Sequence, residues 1–243
     1  MTKTLVFSLA LLTLTACAKE VSKIKPTQSA FDIQIIDKPI DFGPERIAMT
    51  KKYIKTHYGK TVSNIDIVPK IILLHWTADM SFKKSFARLK PQKLFTDRKD
   101  IAKASLLNVS AHFLVARDGS IYRLMPETWM ARHVIGLNYS SIGIENVGGE
   151  GNKKDDLTLA QRASNKKLIH YLKAKYPSIE YLVGHHEYKQ MESTSLWLEL
   201  DKGYRTNKSD PGAKFMKEMR ESTQKLQLKM PPKASQIPFK IKP

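Results

Sequence analysis

The segment "KIILLHW", residues 70 to 76, constrains the fold of this chain more than any other. It is a short apolar run of the kind found in a strand buried within a sheet, and it closes on a histidine. The remaining pattern supplies its neighbours. Pro44 has the look of a first-turn helix proline, with Ile47, Ile54 and Tyr58 on one stripe and Gly59 as the stop. Phe82, Phe86 and Leu89 recur at helical spacing before Pro91. Residues 91 to 107 are basic and loosely patterned, as in a surface loop. "SAHFLVARDGSIYRLM", 110 to 125, predicts a hairpin about Asp118-Gly119. "SSIGIENVGG", 140 to 149, predicts another strand running into a glycine turn. Thr158 and Gln161 form a capping-box pattern at the start of a helix. Leu157, Ala160, Leu168, Tyr171 and Leu172 are its expected inward stripe. "IEYLVGHH" is then a strand that delivers histidines at its end. Strands and helices alternate, so the expected class is α/β: a mixed central β-sheet flanked by helices, in a single domain.

The N-terminus bears on where such a domain works. "MTKTLVFSLALLTLTAC" has a lone lysine, an apolar stretch from Leu5 to Leu14 and small residues before Cys17. The stretch is too short for a stable bilayer span and reads as a secretory signal. Leu14-Thr15-Ala16-Cys17 resembles a bacterial lipobox, which makes Cys17 the expected lipidation site. Ala18, rather than Asp, follows it, as in lipoproteins sent to the outer membrane of Gram-negative-type bacteria. The expected location is that membrane, facing the periplasm, with a membrane contact through the lipid anchor. Forty-one Lys and Arg against 23 Asp and Glu give a net +18, which predicts attraction to something anionic. Export removes nucleic acid from the expected partners. Cys17 is the only cysteine, so a metal in the exported domain would have to be held by histidine and carboxylate.

Several polar residues stand where strands stop: His75, Glu145 and His185, with Asp210 following in the turn "KSDPG". Open α/β sheets commonly place ligands at the carboxyl ends of their strands. Two imidazoles and a carboxylate are a known catalytic zinc set. A second carboxylate could move protons, and a lysine could stabilise an oxyanion. Each residue also has a plain reading: His75 as a satisfied strand-end histidine, Glu145 as surface charge, Asp210 as turn punctuation, Lys208 as solvated charge. His185 and His186 are adjacent, so one is expected to point inward and the other away. Spacing alone leaves these alternatives open, because no local motif such as H-E-x-x-H is present.

The ordered segments "ILLHWTA", "SAHFLVARDGSIYRL", "SSIGIEN", "VGHHE" and "KSDPG" resemble the zinc-dependent N-acetylmuramoyl-L-alanine amidases of the amidase_2 group. That group includes AmpD-like enzymes, the phage T7 type of lysozyme and the peptidoglycan recognition proteins. The lipobox makes the chain most similar to lipoprotein members of the AmiD kind. The resemblance covers roughly residues 68 to 220. It implies one Zn2+ per chain, held by His75, His185 and Asp210, with Glu145 as catalytic carboxylate and Lys208 as the transition-state lysine. It also implies a substrate, peptidoglycan or muropeptides, cut between N-acetylmuramic acid and the L-alanine of the stem peptide. A non-catalytic peptidoglycan receptor of the same fold is the alternative.

His133 and Trp76 are the expected substrate-side residues, although Arg132 stands where many relatives have an aromatic before the histidine. Glu187 is a possible rival ligand, and residues 188 to 207 form an insertion expected at the groove rim. The expected organisation is a signal peptide at 1–16, a lipid-anchored tether at 17–42, a catalytic domain at 43–223 and a basic, mostly disordered tail at 224–243. A monomer is expected.

Overall fold

Six strands form one sheet among the residues described by the computed structural model, Met1 and 33–233. They are β1 (Ile35–Asp37), β2 (Ile71–Trp76), β3 (Phe113–Val115), β4 (Ile121–Arg123), β5 (Ser141–Asn146) and β6 (Tyr181–Gly184). Their spatial order is β1-β4-β3-β5-β2-β6. Only β3 and β4, the hairpin about Gly119, pair antiparallel; the other neighbours run parallel. The expected mixed sheet is therefore present. The signal peptide, Cys17, most of the tether and the end of the tail lie outside the described residues.

β2 earns its apolar sequence by being covered on both faces. Ile71 and Leu73 pack with Tyr53 and Ile54 of α1 (Pro44–Tyr58) on one side. Ile72 and Leu74 face Leu168, Ile169 and Leu172 of α4 (Leu159–Lys175) and Phe215 and Met216 of α5 (Ala213–Ser222) on the other. α2 (Phe82–Leu89) sets Leu89 against Leu114 and Leu124 in a smaller cluster, and α3 (Lys99–Ala102) is a single short turn. α1 begins at Pro44 and stops at Gly59, whose positive φ of 66° suits a residue without Cβ.

The α4 capping box forms as its residues require: Thr158 Oγ1 accepts from the Gln161 amide, and Gln161 Oε1 accepts from the Thr158 amide. The inward stripe differs from the expected one. Ala160 is exposed and Tyr171 half-buried, while Gln161 and Asn165 are fully buried. The reason is a need for donors on the sheet. Gln161 Nε2 donates to the carbonyls of Val115, the last residue of β3, and Val147, the residue after β5. Asn165 Nδ2 donates to Asn146 Oδ1, and Asn146 Nδ2 donates to the His75 carbonyl. Polar side chains on this face thus hold the strand ends that carry the candidate site.

Three boundaries also differ. Residues 35–37, assigned to the tether, form β1 and add an edge strand beside β4. Segment 91–107 is pinned rather than loose: Lys93 and Leu107 form an antiparallel bridge, and α3 lies between them. The tail is ordered beyond residue 224. Leu226 and Leu228 pack on the α4 side of the core, and Lys229 pairs along β6, accepting from the Leu182 amide. Apolar residues at alternate positions meet an open strand edge there, which explains why residues 226–229 stay on the domain.

Replacing Gln161 by Met keeps helix propensity and volume but strands two buried carbonyls. The expected cost is about 1–3 kcal/mol in urea unfolding, and an unchanged midpoint would count against this account of α4.

Candidate functional site

His75 is the fifth residue of β2 and points to the α1 side of the sheet, as the alternation of β2 dictates. In the parallel register its partner on β5 is Glu145, which shares that side. β6 ends at Gly184, and His185 opens a 3-10 helix, His185–Ser193, on the same side. The turn before α5 brings in Asp210. Its carbonyl accepts the His186 amide, which ties the turn to the end of β6. Strands far apart in sequence thus deliver their polar ends to one spot.

Three atoms meet there. His75 Nδ1 and His185 Nδ1 are 3.0 Å apart, and Asp210 Oδ2 lies 3.1 Å from the first and 3.0 Å from the second. All three residues are buried. Zinc bound tetrahedrally at about 2.0–2.1 Å spaces its ligand atoms about 3.3 Å apart, so these side chains fit the ion with shifts of a few tenths of an ångström. The donor set fits as well, since imidazole nitrogen and carboxylate oxygen suit zinc.

Electrostatics prepares the group for a cation. Burial pushes the His185 imidazole down to about 4, against the pull of Asp210, so it is neutral at pH 7. Burial opposes ionisation of Asp210, yet His185 and His75 outweigh it and hold the carboxyl far below its usual range. A neutral imidazole and an ionised carboxylate are the forms a metal needs.

Glu145 and Lys208 line the same cavity, about 360 Å³ in volume. Burial pushes the Glu145 carboxyl up to about 7; His75, Lys208 and Arg98 pull it down and Asp210 adds repulsion. Its Oε2 is buried without a hydrogen-bond partner. A carboxyl near neutral pKa with a free oxygen can accept and return a proton at pH 7. Burial lowers the Lys208 ammonium from its usual value, opposed by Asp210. Arg98, Tyr204 and Thr206 also contribute to the wall, the last two from the insertion, which does reach the groove.

Both expected substrate-side residues line the cavity, and each is also held from behind. His133 lies behind His75, its Nδ1 3.0 Å from His75 Nε2, and it is almost fully buried. Trp76 points to the opposite face of the sheet because it follows His75 by one residue. Its ring packs over Gly149, where an added Cβ would lie 2.2 Å from the indole, and Nε1 donates to Asn152. From there Trp76 still contributes to the cavity wall. His186 turns away, toward the Asp210 carbonyl. Glu187 is not a rival ligand: it accepts from the Gly184 amide and pairs with Arg220.

Sequence reasoning passed over His112 and Ser141. His112 Nδ1 accepts from the Gly143 amide, so its Nε2 carries the hydrogen given to the Trp129 carbonyl. Burial pushes this imidazole down to about 4. A histidine inside an otherwise apolar strand pattern was the one available signal.

A family model described as N-acetylmuramoyl-L-alanine amidase matches residues 66–213, more than half of the chain. The endolysin of Escherichia phage T7 is 37% identical over 84 residues, which are 33% of this chain and 55% of that protein. The endolysin of Enterobacteria phage K11 is 31% identical over the same length, with the same coverage. The matched part thus spans about half the length of these curated relatives. Among solved structures, the endolysin amidase LysCS from Clostridium intestinale aligns with 22% identity and a TM-score of 0.45, covering 81% of this chain and 97% of its own.

His112 and His185 titrate near 6.5 when unfolded and near 4 when folded. Below pH 6.5 the unfolded chain therefore binds two protons at these rings that the fold refuses, which lowers stability as pH drops toward 4. Glu145, pushed up to about 7, takes up a proton in the fold first and offsets part of that loss. For the metal-free protein the expected slope approaches about 1.4 kcal/mol per pH unit for each histidine. Imidazole NMR of the folded, metal-free protein checks this directly: either ring gaining its proton near pH 6.5 would contradict the burial of both as neutral groups.

Proposed function

We infer the reaction from the family: the chain belongs to the N-acetylmuramoyl-L-alanine amidases, and the bond we propose it hydrolyses is the amide joining N-acetylmuramic acid to the L-alanine of the stem peptide. The observation that carries this reading is the convergence of His75, Glu145, His185, Lys208 and Asp210 on one cavity within the matched span. His75, His185 and Asp210 would hold Zn2+. Zinc supplies Lewis acidity there, polarising a carbonyl and bringing the pKa of water close to 7.

The chain's own residues do the rest. Glu145 takes the proton of the attacking water on its free carboxyl oxygen and returns it to the departing alanine nitrogen. Lys208 faces the oxygen that gains charge as the carbonyl carbon becomes tetrahedral. Because both groups stand in a buried pocket, their charge acts there with little screening. A receptor without catalysis is less well supported, since the ligand triangle and the proton-handling carboxyl are both complete. We further propose that the protein is a monomeric lipoprotein, anchored through Cys17 in an outer membrane and facing the periplasm. The lipobox pattern supports this, and its basic charge suits an anionic envelope.

Digestion of purified muropeptides with mass analysis of the products tests the reaction. Wild type should release stem peptide beginning with L-alanine and leave the lactyl sugar intact. Glu145→Ala should keep its zinc and lose about 10²–10⁴-fold in rate. Lys208→Ala should lose about 10²–10³-fold. Intact muropeptides in the presence of stoichiometric zinc would point to a receptor instead, and cleavage that survives chelation would exclude the mechanism.

A further inference from the structure

Behind His75, on the side away from the ligand triangle, runs a line of buried polar atoms that the reaction does not consume. His75 Nε2 is 3.0 Å from His133 Nδ1, His133 Nε2 is 3.1 Å from Ser141 Oγ, and Ser141 Oγ is 2.8 Å from the Leu137 carbonyl oxygen. Every atom in this line can donate or accept except the last, because a carbonyl oxygen only accepts. That end sets the direction of the whole line. Were the Ser141 hydrogen turned elsewhere, oxygen lone pairs would face each other at 2.8 Å, a contact that burial makes costly. Ser141 therefore donates to Leu137 and is an acceptor toward His133. His133 Nε2 must then carry the ring's hydrogen, which leaves Nδ1 bare. His75 Nε2–H fills that acceptor, and His75 Nδ1 is left without a hydrogen.

We propose that Ser141 and His133 form a positioning relay that holds His75 in the tautomer whose Nδ1 lone pair faces His185 and Asp210. The proposal rests on the metal reading of the triangle and adds to it a task for His133 that is neither ligation nor substrate contact. The fold is shaped around this task. A Cβ on Gly143 would lie 2.7 Å from His133 Nδ1, so the glycine of "SIGIE" leaves the space that the imidazole fills. The amides of His133 and Val134 both donate to Asn138 Oδ1, which fixes the backbone that presents the ring. The two rings meet edge-on, with an interplanar angle of 82°.

The relay also explains why the triangle calls for a cation. With His75 Nδ1 bare and Asp210 ionised, only His185 can place a hydrogen among the three atoms, and one hydrogen cannot bridge three close pairs. Metal-bound histidines usually give their second N–H to a carboxylate or a carbonyl. A neutral imidazole does that work here, so no negative charge beyond that of Asp210 is brought to the site by the relay.

The test combines nitrogen-15 NMR of the imidazoles in metal-free protein at neutral pH with zinc titration against a competing chelator. Wild type should show His75 protonated at Nε2 alone. His133→Phe removes the acceptor, and zinc should bind about 10–100-fold more weakly. His133→Gln can accept from His75 and donate to Ser141, and it should recover most of that loss. Ser141→Ala should let His75 populate both tautomers. Thermal unfolding accompanies each variant; should His133→Phe fail to fold, the wild-type spectrum and Ser141→Ala decide. A hydrogen on His75 Nδ1 in wild type would overturn the relay. So would zinc affinity within about twofold of wild type in both His133→Phe and Ser141→Ala. Wild type that keeps the Nε2–H tautomer but takes up no zinc would sink the metal reading and leave the relay standing.

Discussion

The register of β2 between β5 and β6 is the constraint on which everything else depends. Parallel pairing sets His75 beside Glu145 and ends β6 one residue short of His185. Side chains alternate along each strand, so a slip of one residue would send His75 to the α4 side and turn Trp76 to the α1 side. What prevents the slip is the core itself. Ile72 and Leu74 are fitted to α4 and α5, Ile71 and Leu73 to α1, and exchanging these sets would break two hydrophobic layers at once. Packing far from the chemistry thereby places the chemistry.

A sheet covered on both faces has a cost at its ends, where backbone groups leave the ladder without partners. The chain meets this with side chains. Gln161 and Asn165 reach across from α4, and Asn146 passes the contact on to the His75 carbonyl. On the other face, His133 and Ser141 secure the ring of the same residue. His75 is thus gripped by backbone on one side of the sheet and by imidazole on the other, which leaves it little freedom of angle.

Much of this was legible in the residues. α1 and α2 appear with their expected ends because Pro44, Gly59 and Pro91 act locally. The hairpin, β5 and the α4 cap likewise follow from short-range chemistry. The candidate ligand residues could be named because three strand ends and a turn each carry a polar residue, and a family resemblance tied them together. What stayed hidden depends on long-range contacts. Gln161 and Asn165 look like surface polar residues until the sheet carbonyls they serve are in place. His133 could be named as a groove residue, but its seat behind His75 depends on the space opened by Gly143 ten residues on. The tail composition suggests disorder, and only the open edge of β6 gives Leu226 and Leu228 a place to pack.

The insertion at 188–207 has a further consequence, and it concerns time rather than shape. This wall is fastened to the domain along its length: Leu198 bonds to the Gly136 carbonyl, Leu200 to that of His57, and Glu199 to the His57 ring inside the core. Trp197 sits against Gly136, and Tyr204 accepts from Arg132 beside the relay histidine. A segment held at so many buried points cannot swing aside by itself. It comes loose only when its part of the core does, which is far slower than one encounter with a ligand. This side of the groove therefore keeps one shape on the timescale of an encounter, and whatever enters meets a wall already in place.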